Sequence, residues 1–313
     1  MPIKLIISDP KSVKRIKQCL EQNNQLNKSY KIQKCNDKFE IFTNLPEITE
    51  EFTQYHYEIY EERPKQAEIT LESVIKKFLN LKNVAICNEL VIPKRWSIYP
   101  PMILFNSNTF DSQPWQELFN SISSHELFTY IILHQQDVFG TSEITHIAVN
   151  KPIIESDIMR RPFNVLPLYG DFGPATSFDN PTEMDFSNAF WCHVVQNGIY
   201  QTWAPRYTMF SRGNIKEKKR VLETCKNLKG TVVFDFYCGI GYFSLSYLKN
   251  GARLMCWELN PWSVEGFRRA LEHAKYTYLI IRPDDNFSYQ QYQETIVDVI
   301  IFIESNENIP KRL

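Results

Sequence analysis

The chain has 313 residues, of which 43% are hydrophobic and 23% are charged, and this composition excludes a disordered chain and indicates a globular protein of about two domains. Thirty-five Lys and Arg residues against 36 Asp and Glu residues leave a net charge of −1, which argues against coating nucleic acid through bulk charge. No apolar run approaches the ~20 residues of a membrane span, and residues 1–10 carry no secretory signal. We therefore expect a cytoplasmic protein whose partners include neither a membrane nor DNA.

Cysteine, histidine and glycine narrow the chemistry further. The seven cysteines form no CxxC pair, and their odd number in a chain without a signal predicts reduced thiols. The six histidines are scattered and form no HExxH motif, so we predict no metal site. All ten glycines follow Phe139, which places any glycine-dependent nucleotide site in the second half of the chain.

Residues 1–150 are predicted to form a smaller N-terminal α/β domain whose role the sequence does not reveal. Period-two and helical spacings of apolar residues, with caps and turn residues between them, carry this prediction. In chain order, the predicted elements are a strand over 4–8, a helix opened by Asp9 and Pro10, strands over 31–35 and 39–43, a helix around 74–79 and a largely buried helix over 125–134.

Residues 151–228 are predicted to form a loop-rich connector. Its first part, residues 151–180, is rich in Pro, Gly, Asn and Asp without periodicity, which is typical of a linker or a functional loop. The aromatic residues of segment 183–203 indicate core packing, with base or nucleotide stacking as the alternative. They are Phe186, Phe190, Trp191, Tyr200 and Trp203.

Residues 229–313 carry the strongest local signal, which is a strand followed by a glycine turn and a helix. The run TVVFDF from Thr231 predicts a buried parallel strand that leads through YCGIG into an apolar helix over 242–248. Gly239 and Gly241 permit positive φ and close approach of a ligand, and the start of the helix offers free N–H groups. The pattern predicts a nucleotide-binding turn.

The details of this turn favour one class of nucleotide. Ser244 occupies the place of the third glycine in the dinucleotide fingerprint, and Asp235 lies at the end of the strand. A carboxylate there suits a cationic ligand better than a pyrophosphate. S-adenosylmethionine, with its sulfonium and amino groups, meets that requirement.

Polar residues also follow the next two predicted strands. The strand over 253–257 leads into Glu258, where a βαβ nucleotide fold places the acceptor for ribose hydroxyls. The strand over 278–281 is followed by Asp285 and Asn286, whose side chains are expected to reach the adenine. Together these strand ends predict a Rossmann-like α/β domain.

Several longer segments of the second half lie within residues 168–286: LYGDFGPAT, AFWCHVVQNGIYQTWAP, QTWAPRYTMFSRGNIKEKKR, FDFYCGIGYFSL and ELNPWSVEGFRRAL. Together they closely resemble one family, the tRNA wybutosine-synthesising protein 2 family. The resemblance implies a class I methyltransferase-like fold that uses S-adenosylmethionine as co-substrate. It further implies transfer of the 3-amino-3-carboxypropyl group to C7 of 4-demethylwyosine at position 37 of phenylalanine tRNA, in the anticodon loop, with release of 5′-methylthioadenosine.

The resemblance also assigns cofactor-binding roles. Ser211 and Lys218 match positions that contact the cofactor in the family, and a hydroxyl and an ammonium suit its carboxylate. Glu258 matches the ribose-binding acid, and Asp285 and Asn286 match the pair after the third strand. Asp235, Gly239 and Gly241 form the glycine turn, and no catalytic residue is assigned.

Four cations are expected to contact tRNA phosphates, and such contacts position the anticodon loop without reading its sequence. They are Arg160, Arg161, Lys219 and Arg220. Without the resemblance, KEKKR at 216–220 is typical of a solvated helix face.

The C-terminal part departs from the family. The resemblance implies several strands and an NLGLLP-like motif after the third strand, but only 27 residues follow Asn286, with one strand-like run over 298–304. The Rossmann-like domain is therefore expected to be incomplete at its C-terminus, with an exposed sheet edge. Two alternatives stay open: a tRNA guanine-37 N1-methyltransferase, whose NPPY-like tetrapeptide we do not find, and a non-catalytic tRNA-binding module that retains the cofactor fold.

Overall fold

The computed structural model describes residues 1–61, 69–152, 156–157, 159, 162 and 165–312. Contacts divide the chain into two units, Met1–Glu68 and Ile69–Leu313. One apolar cluster of the second unit joins Met102, Trp203 and Ile240, which belong to three different predicted segments. The boundaries at 150 and 228 stay predictions. No helix within the described ranges has both the length and the apolar composition needed to cross a bilayer.

The first unit is an antiparallel sheet with one helix against it. Its elements are β1 (Ile3–Ile7), α1 (Pro10–Gln22), β2 (Gln33–Cys35), β3 (Lys38–Phe42) and β4 (His56–Ile59). The strand order is β2-β3-β1-β4, and alternate residues of β1 pack against Ile16 and Leu20 of α1. Asp9 caps α1 by accepting a hydrogen bond from the Lys11 N–H at 3.0 Å, as the Asp-Pro pair predicted.

The described residues of the second unit form three sheets. Its elements in chain order are α2 (Leu71–Leu81), β5 (Trp96–Tyr99), β6 (Met102–Phe105), α3 (Gln113–Ser121), α4 (Ser124–Leu133), α5 (Gln135–Phe139), β7 (His146–Val149), β8 (Leu166–Tyr169), α6 (Glu183–Asn188), β9 (Cys192–Gln196), β10 (Ile199–Trp203), α7 (Ile215–Thr224), β11 (Val232–Asp235), α8 (Ser244–Lys249), β12 (Arg253–Trp257), α9 (Pro261–Ala274), β13 (Tyr278–Ile281), α10 (Tyr289–Glu294), β14 (Val299–Phe302) and α11 (Ile309–Arg312). The sheets have the orders β5-β6-β7-β8, β10-β9 and β11-β12-β14-β13.

The β9–β10 hairpin lies within the aromatic segment 183–203, and its second strand packs against α9. Asn197 and Gly198 form its turn with φ of 53° and 69°, the left-handed pair that suits the twist of a two-residue hairpin. A Cβ on Gly266 of α9 would lie 2.6 Å from the Thr202 carbonyl oxygen, so glycine allows β10 to pack directly on the helix. Trp203 stacks on Phe210 at 4.5 Å, which is core packing rather than an open stacking surface.

The third sheet is parallel throughout and carries α8 and α9 in its connections, the Rossmann-like α/β organisation that the sequence predicted. β14 is inserted between β12 and β13, although it follows both of them in the sequence. It pairs with β12 on one side and with β13 on the other. The predicted burial of the first strand is wrong. β11 lies at the edge of the sheet, and Phe234 is 42% exposed, because no strand in the described part of the chain covers that edge.

Candidate functional site

The carboxyl ends of β11, β12 and β14 open onto a cavity of about 390 Å³, a size suited to a small-molecule ligand. Each of these strand ends contributes side chains to its wall. The lining residues are Met159, Thr208, Met209, Phe236, Tyr237, Gly239, Tyr242, Trp257, Glu258, Leu259, Ser263, Glu304, Ser305, Asn306 and Glu307.

Glu258 connects the end of β12 to the glycine turn after β11. Its Oε2 accepts a hydrogen bond from the Gly239 N–H at 3.0 Å, and its Oε1 accepts one from the Asn260 N–H at 2.8 Å. Burial raises the pKa of the carboxyl, although these hydrogen bonds favour the ionised form. Each oxygen keeps a further lone pair, so the carboxylate can still accept from a ligand hydroxyl. The structure thus brings together two of the predicted site residues.

Asp235 and Gly241 shape the turn but do not line the cavity. Asp235 Oδ2 accepts a hydrogen bond from the Ser244 hydroxyl at 2.6 Å, which ties the end of β11 to the start of α8. Gly241 has φ of +81°, and a Cβ there would lie 2.5 Å from the Phe267 ring. Asp235 thus makes an internal hydrogen bond, and its contact with a cationic ligand stays a prediction, while Glu258 is the carboxylate of this turn that lines the cavity.

Lys218 is a buried cation beside the cavity. Only 4% of its surface is exposed, and Nζ lies 3.5 Å from the Ser211 carbonyl oxygen and 4.6 Å from the centre of the Phe210 ring. No carboxylate of the described residues compensates it, and burial lowers its pKa to about 8. Nζ also lies 5.0 Å from the centre of the Tyr242 ring, and Tyr242 lines the cavity. The predicted pair of Ser211 and Lys218 is thus brought together behind Tyr242, without lining the cavity directly.

Asp285 and Asn286 are not brought to the cavity. They follow β13, which the insertion of β14 moves to the far edge of the sheet, away from Glu258. The Asp285 carboxylate accepts a hydrogen bond from the Arg282 N–H at 2.7 Å, within its own loop. The residues after β14 occupy the cavity wall instead.

Two of the four cations expected to contact tRNA, Lys219 and Arg220, belong to the described residues. Both lie on the exposed side of α7. Lys219 forms an ion pair with Glu223 at 3.6 Å, and both Glu217 oxygens accept hydrogen bonds from Arg220 Nε at 2.9 Å. Arg160 and Arg161 lie outside the described residues. No group of three or more His, Cys, Asp or Glu side chains in the described ranges is arranged to hold a metal ion.

Sequence reasoning missed several side chains of the cavity. The Tyr242 hydroxyl donates to the Met209 carbonyl and accepts from the Ser211 N–H at 3.2 Å, and it fixes the segment between them. The hydroxyls of Thr208 and Ser263 lie 2.6 Å apart in the buried wall. The sequence did contain a signal for the residues after β14. The polar segment ESNE directly follows the apolar run VIIFI, just as Glu258 directly follows the strand before it.

Comparisons with known proteins show what this chain is similar to. Residues 193–305 match the family model described as the TRM5/TYW2 methyltransferase domain, which includes every element from β10 to β14. The tRNA wybutosine-synthesizing protein 2 of Schizosaccharomyces pombe is 44% identical over 217 residues, covering 69% of this chain and 50% of the relative. The protein of the same name from Saccharomyces cerevisiae is 36% identical over 317 residues, covering 87% of this chain and 68% of the relative.

A solved structure, P. horikoshii TYW2 in complex with MeSAdo, is 18% identical, with a TM-score of 0.45, and the match covers 75% of this chain and 64% of that one. The sheet and the matched domain define a chain of the TRM5/TYW2 methyltransferase class. The two yeast comparisons go further: the chain belongs to the tRNA wybutosine-synthesizing protein 2 family. It spans 50% of the first of these relatives and 68% of the second.

Proposed function

We propose that this protein transfers the 3-amino-3-carboxypropyl group of S-adenosylmethionine to C7 of 4-demethylwyosine at position 37 of phenylalanine tRNA, releasing 5′-methylthioadenosine. Family membership supports the reaction, and the geometric observation that carries it is the position of Glu258. This acid lines the cavity while bonded to the Gly239 N–H, where a Rossmann-like fold binds a ribose.

The residues present fit the co-substrate. Glu258 offers acceptor oxygens for the ribose hydroxyls, and its charge with that of Glu307 suits a cationic sulfonium. Lys218 is a buried ammonium without a carboxylate partner among the described residues, which suits the carboxylate of the transferred group. The sulfonium activates the carbons attached to it, and the one that faces the nucleophile reacts. The main task of the chain is therefore to position the groups.

We infer that the partner is phenylalanine tRNA, approached through its anticodon loop in the cytoplasm. Lys219 and Arg220 project from α7, the same helix that carries Lys218 on its buried side, so phosphate contacts there would hold the tRNA near the site. Arg160 and Arg161 are proposed to add to this contact. The ion pairs of Lys219 and Arg220 are exposed and therefore weak, so a phosphate can replace their acidic partners.

A second candidate is N1-methylation of guanosine 37, because the description of the matched domain includes both TRM5 and TYW2. A two-label experiment separates the candidates. Phenylalanine tRNA carrying 4-demethylwyosine or guanosine at position 37 is incubated with S-adenosylmethionine labelled in the carboxyl or in the methyl group. Carboxyl label in the 4-demethylwyosine tRNA supports the proposal. Methyl label alone overturns it in favour of the methyltransferase, and tRNA binding with neither label indicates a non-catalytic module.

A further inference from the structure

We propose that Gln201 is a positioning residue for the carboxylate end of the ligand. Its amide oxygen holds the Lys218 ammonium, and its amide nitrogen holds the glycine turn through the Gly241 carbonyl. One side chain thus keeps the buried cation at a fixed place relative to the turn. This inference rests on the proposed function, since it takes the ligand to be S-adenosylmethionine. The sequence predicted no role for Gln201.

The amide of Gln201 makes contacts of opposite kinds at its two ends. Gln201 lies on β10 and is 1% exposed. Its Oε1 lies 3.5 Å from Lys218 Nζ, and its Nε2 lies 3.4 Å from the Gly241 carbonyl oxygen. An ammonium only donates hydrogen bonds and a carbonyl only accepts them, so each contact on its own determines which way the amide faces. Both contacts require the same orientation, and both ends of a buried amide are bonded in it.

The other contacts of the ammonium are also with neutral groups. Lys218 Nζ lies 3.3 Å from Gln196 Oε1 and 3.5 Å from the Ser211 carbonyl oxygen. These contacts are longer than the about 2.7–2.9 Å that is usual between an ammonium and a carboxylate. The rings of Phe210 and Tyr242 lie beside the ammonium, with their centres 4.6 and 5.0 Å from Nζ. Weak acceptors therefore hold the cation, and a ligand carboxylate can replace one of them.

The carboxylates on the surrounding elements have other partners. Glu217, which precedes Lys218 on α7, accepts hydrogen bonds from Arg220 on the exposed side of the helix. At the glycine turn, Asp235 accepts from a serine hydroxyl, and Glu258 accepts from two backbone N–H groups. The charge of Lys218 is therefore left for a ligand.

The contact with Gly241 extends the influence of Gln201 to the cavity wall. The Gly241 carbonyl belongs to the peptide bond that leads into Tyr242, whose ring contacts the ammonium and whose side chain lines the cavity. Gln201 thus holds both the cation and the backbone next to Tyr242. Without the amide, Lys218 loses one of its acceptors and the Gly241 carbonyl loses a donor, so the two can shift relative to each other.

A comparison of two ligands tests this coupling. Binding of S-adenosylmethionine and of 5′-methylthioadenosine, which lacks the carboxylate, is measured by calorimetry for the wild type and Gln201→Met. The variant keeps the length of the side chain but removes both hydrogen-bonding groups. Affinity for S-adenosylmethionine should fall by about tenfold, the equivalent of one hydrogen bond, and affinity for 5′-methylthioadenosine by less than about threefold.

Gln135→Met is the matched control. Gln135 is a half-buried glutamine of α5 whose amide oxygen accepts from the Ile144 N–H at 2.6 Å, and it does not line the cavity. This variant loses a buried amide in the same way but should keep both affinities.

A double-mutant cycle separates positioning of the cation from general damage to the fold. In a Lys218→Met background, Gln201→Met should lower affinity for S-adenosylmethionine no more than affinity for 5′-methylthioadenosine. Gln201→Glu keeps the shape of the side chain and gives the ammonium an internal carboxylate. It should weaken S-adenosylmethionine by at least about tenfold and 5′-methylthioadenosine by less than about threefold, and it decides the test if Gln201→Met does not fold.

Three outcomes would count against the inference. Wild-type affinity for S-adenosylmethionine in the Gln201 variants would overturn it and leave the proposed function standing. Equal losses for the two ligands, or an undiminished loss in the Lys218→Met background, would overturn it as well, because Gln201 would then support only the fold. Failure of the wild type to bind S-adenosylmethionine would overturn the proposed function too.

Discussion

Glu258 accepts a hydrogen bond from the Gly239 N–H, with 3.0 Å between Oε2 and the backbone nitrogen. A single carboxylate therefore holds the turn after β11 against the end of β12 while it forms part of the cavity wall. Because its other oxygen accepts from the Asn260 N–H at 2.8 Å, the same group also fixes the start of α9. One side chain consequently holds the local structure together and forms part of the cavity wall.

Replacing this carboxylate by an amide should weaken cofactor binding. Glu258→Gln keeps the shape of the side chain but removes its charge and one acceptor, so affinity for S-adenosylmethionine is expected to fall by at least about tenfold, the value of one charge-assisted hydrogen bond. Calorimetric titration measures the change. The matched control is Asp284→Asn, an exposed carboxylate after β13 that does not line the cavity. Equal affinities in Glu258→Gln and wild type would contradict the site.

The buried ammonium of Lys218 should reduce stability. A pKa lowered from 10.5 to about 8 by burial corresponds to an unfavourable free energy on the order of 3 kcal/mol at neutral pH. Lys218→Met is therefore expected to raise the free energy of unfolding by ~1–3 kcal/mol at pH 7. The folded protein releases the Lys218 proton near pH 8 and the unfolded chain near pH 10.5, so wild-type stability rises between these values and the advantage of the variant shrinks.

Chemical denaturation at several pH values tests this stability prediction. Lys219→Met is the control, because the neighbouring lysine is exposed and should change stability by less than about 0.5 kcal/mol. A Lys218→Met protein less stable than wild type at pH 7 would show that the charge is compensated.

The same ammonium should make cofactor binding depend on pH. If the protonated form of Lys218 holds the ligand carboxylate, affinity for S-adenosylmethionine falls as pH rises above about 8. The product 5′-methylthioadenosine lacks that carboxylate and should show no such fall. Binding of S-adenosylmethionine is measured from pH 7 to 9 in wild type and Lys218→Met. The amino group of the ligand titrates in both experiments, so a pH dependence found only in wild type belongs to Lys218. Parallel pH profiles for the two proteins would reject Lys218 as the carboxylate partner.

Two glycines with the same φ distinguish backbone strain from packing. Gly230 and Gly241 both have φ of +81°, but a Cβ meets nothing within 4 Å at Gly230 and lies 2.5 Å from the Phe267 ring at Gly241. Gly230→Ala should cost about 1–2 kcal/mol from the left-handed backbone alone. Gly241→Ala should cost ~1–3 kcal/mol more, because Phe267 must move. Urea denaturation measures the free energy of unfolding of both variants. Equal losses would contradict the prediction, because they would show that Phe267 of α9 moves aside at no cost.

Phosphate contacts through α7 should appear in the salt dependence of tRNA binding. Lys219→Ala/Arg220→Ala is expected to weaken binding most at low salt and to lower the slope of log K against log salt by ~1–2, since each lost contact retains about one counterion. Lys76→Ala/Lys77→Ala on α2 is the control, as Lys76 is likewise an exposed, ion-paired lysine. A slope that matches wild type in the α7 variant would remove these residues from the tRNA interface.

Local sequence patterns predicted most of the elements around the site. The bounds of β12 and β13 agree residue for residue, and the Asn260 side chain caps α9 by accepting from the Trp262 N–H at 3.0 Å. These features depend on the spacing of apolar residues and on capping and turn residues, all of which are local in the sequence. Glu258 was predicted for the same reason, because the end of a strand fixes where its next residue lies.

Features set by distant pairing were not predictable. Nothing near β14 shows that it enters between β12 and β13, since strand order depends on contacts between separated segments. This order places Asp285 away from the cavity and Asn306 in the cavity wall. The hydrogen bond from the Ser244 hydroxyl to the Asp235 carboxylate was not predicted either, because the spacing allows this pairing without requiring it. The burial of Lys218 was likewise hidden in a run of charges on α7.

The insertion of β14 also imposes an order of assembly on the chain. β13 is synthesised before β14, yet in the described structure β13 pairs only with β14. During synthesis, therefore, β12 presents an open edge while β13, an apolar strand able to pair with it, is already present. Early docking of β13 on β12 would be a kinetic trap that must open before β14 can enter. In this sheet, the strand that is made after β13 is the one that decides where β13 belongs.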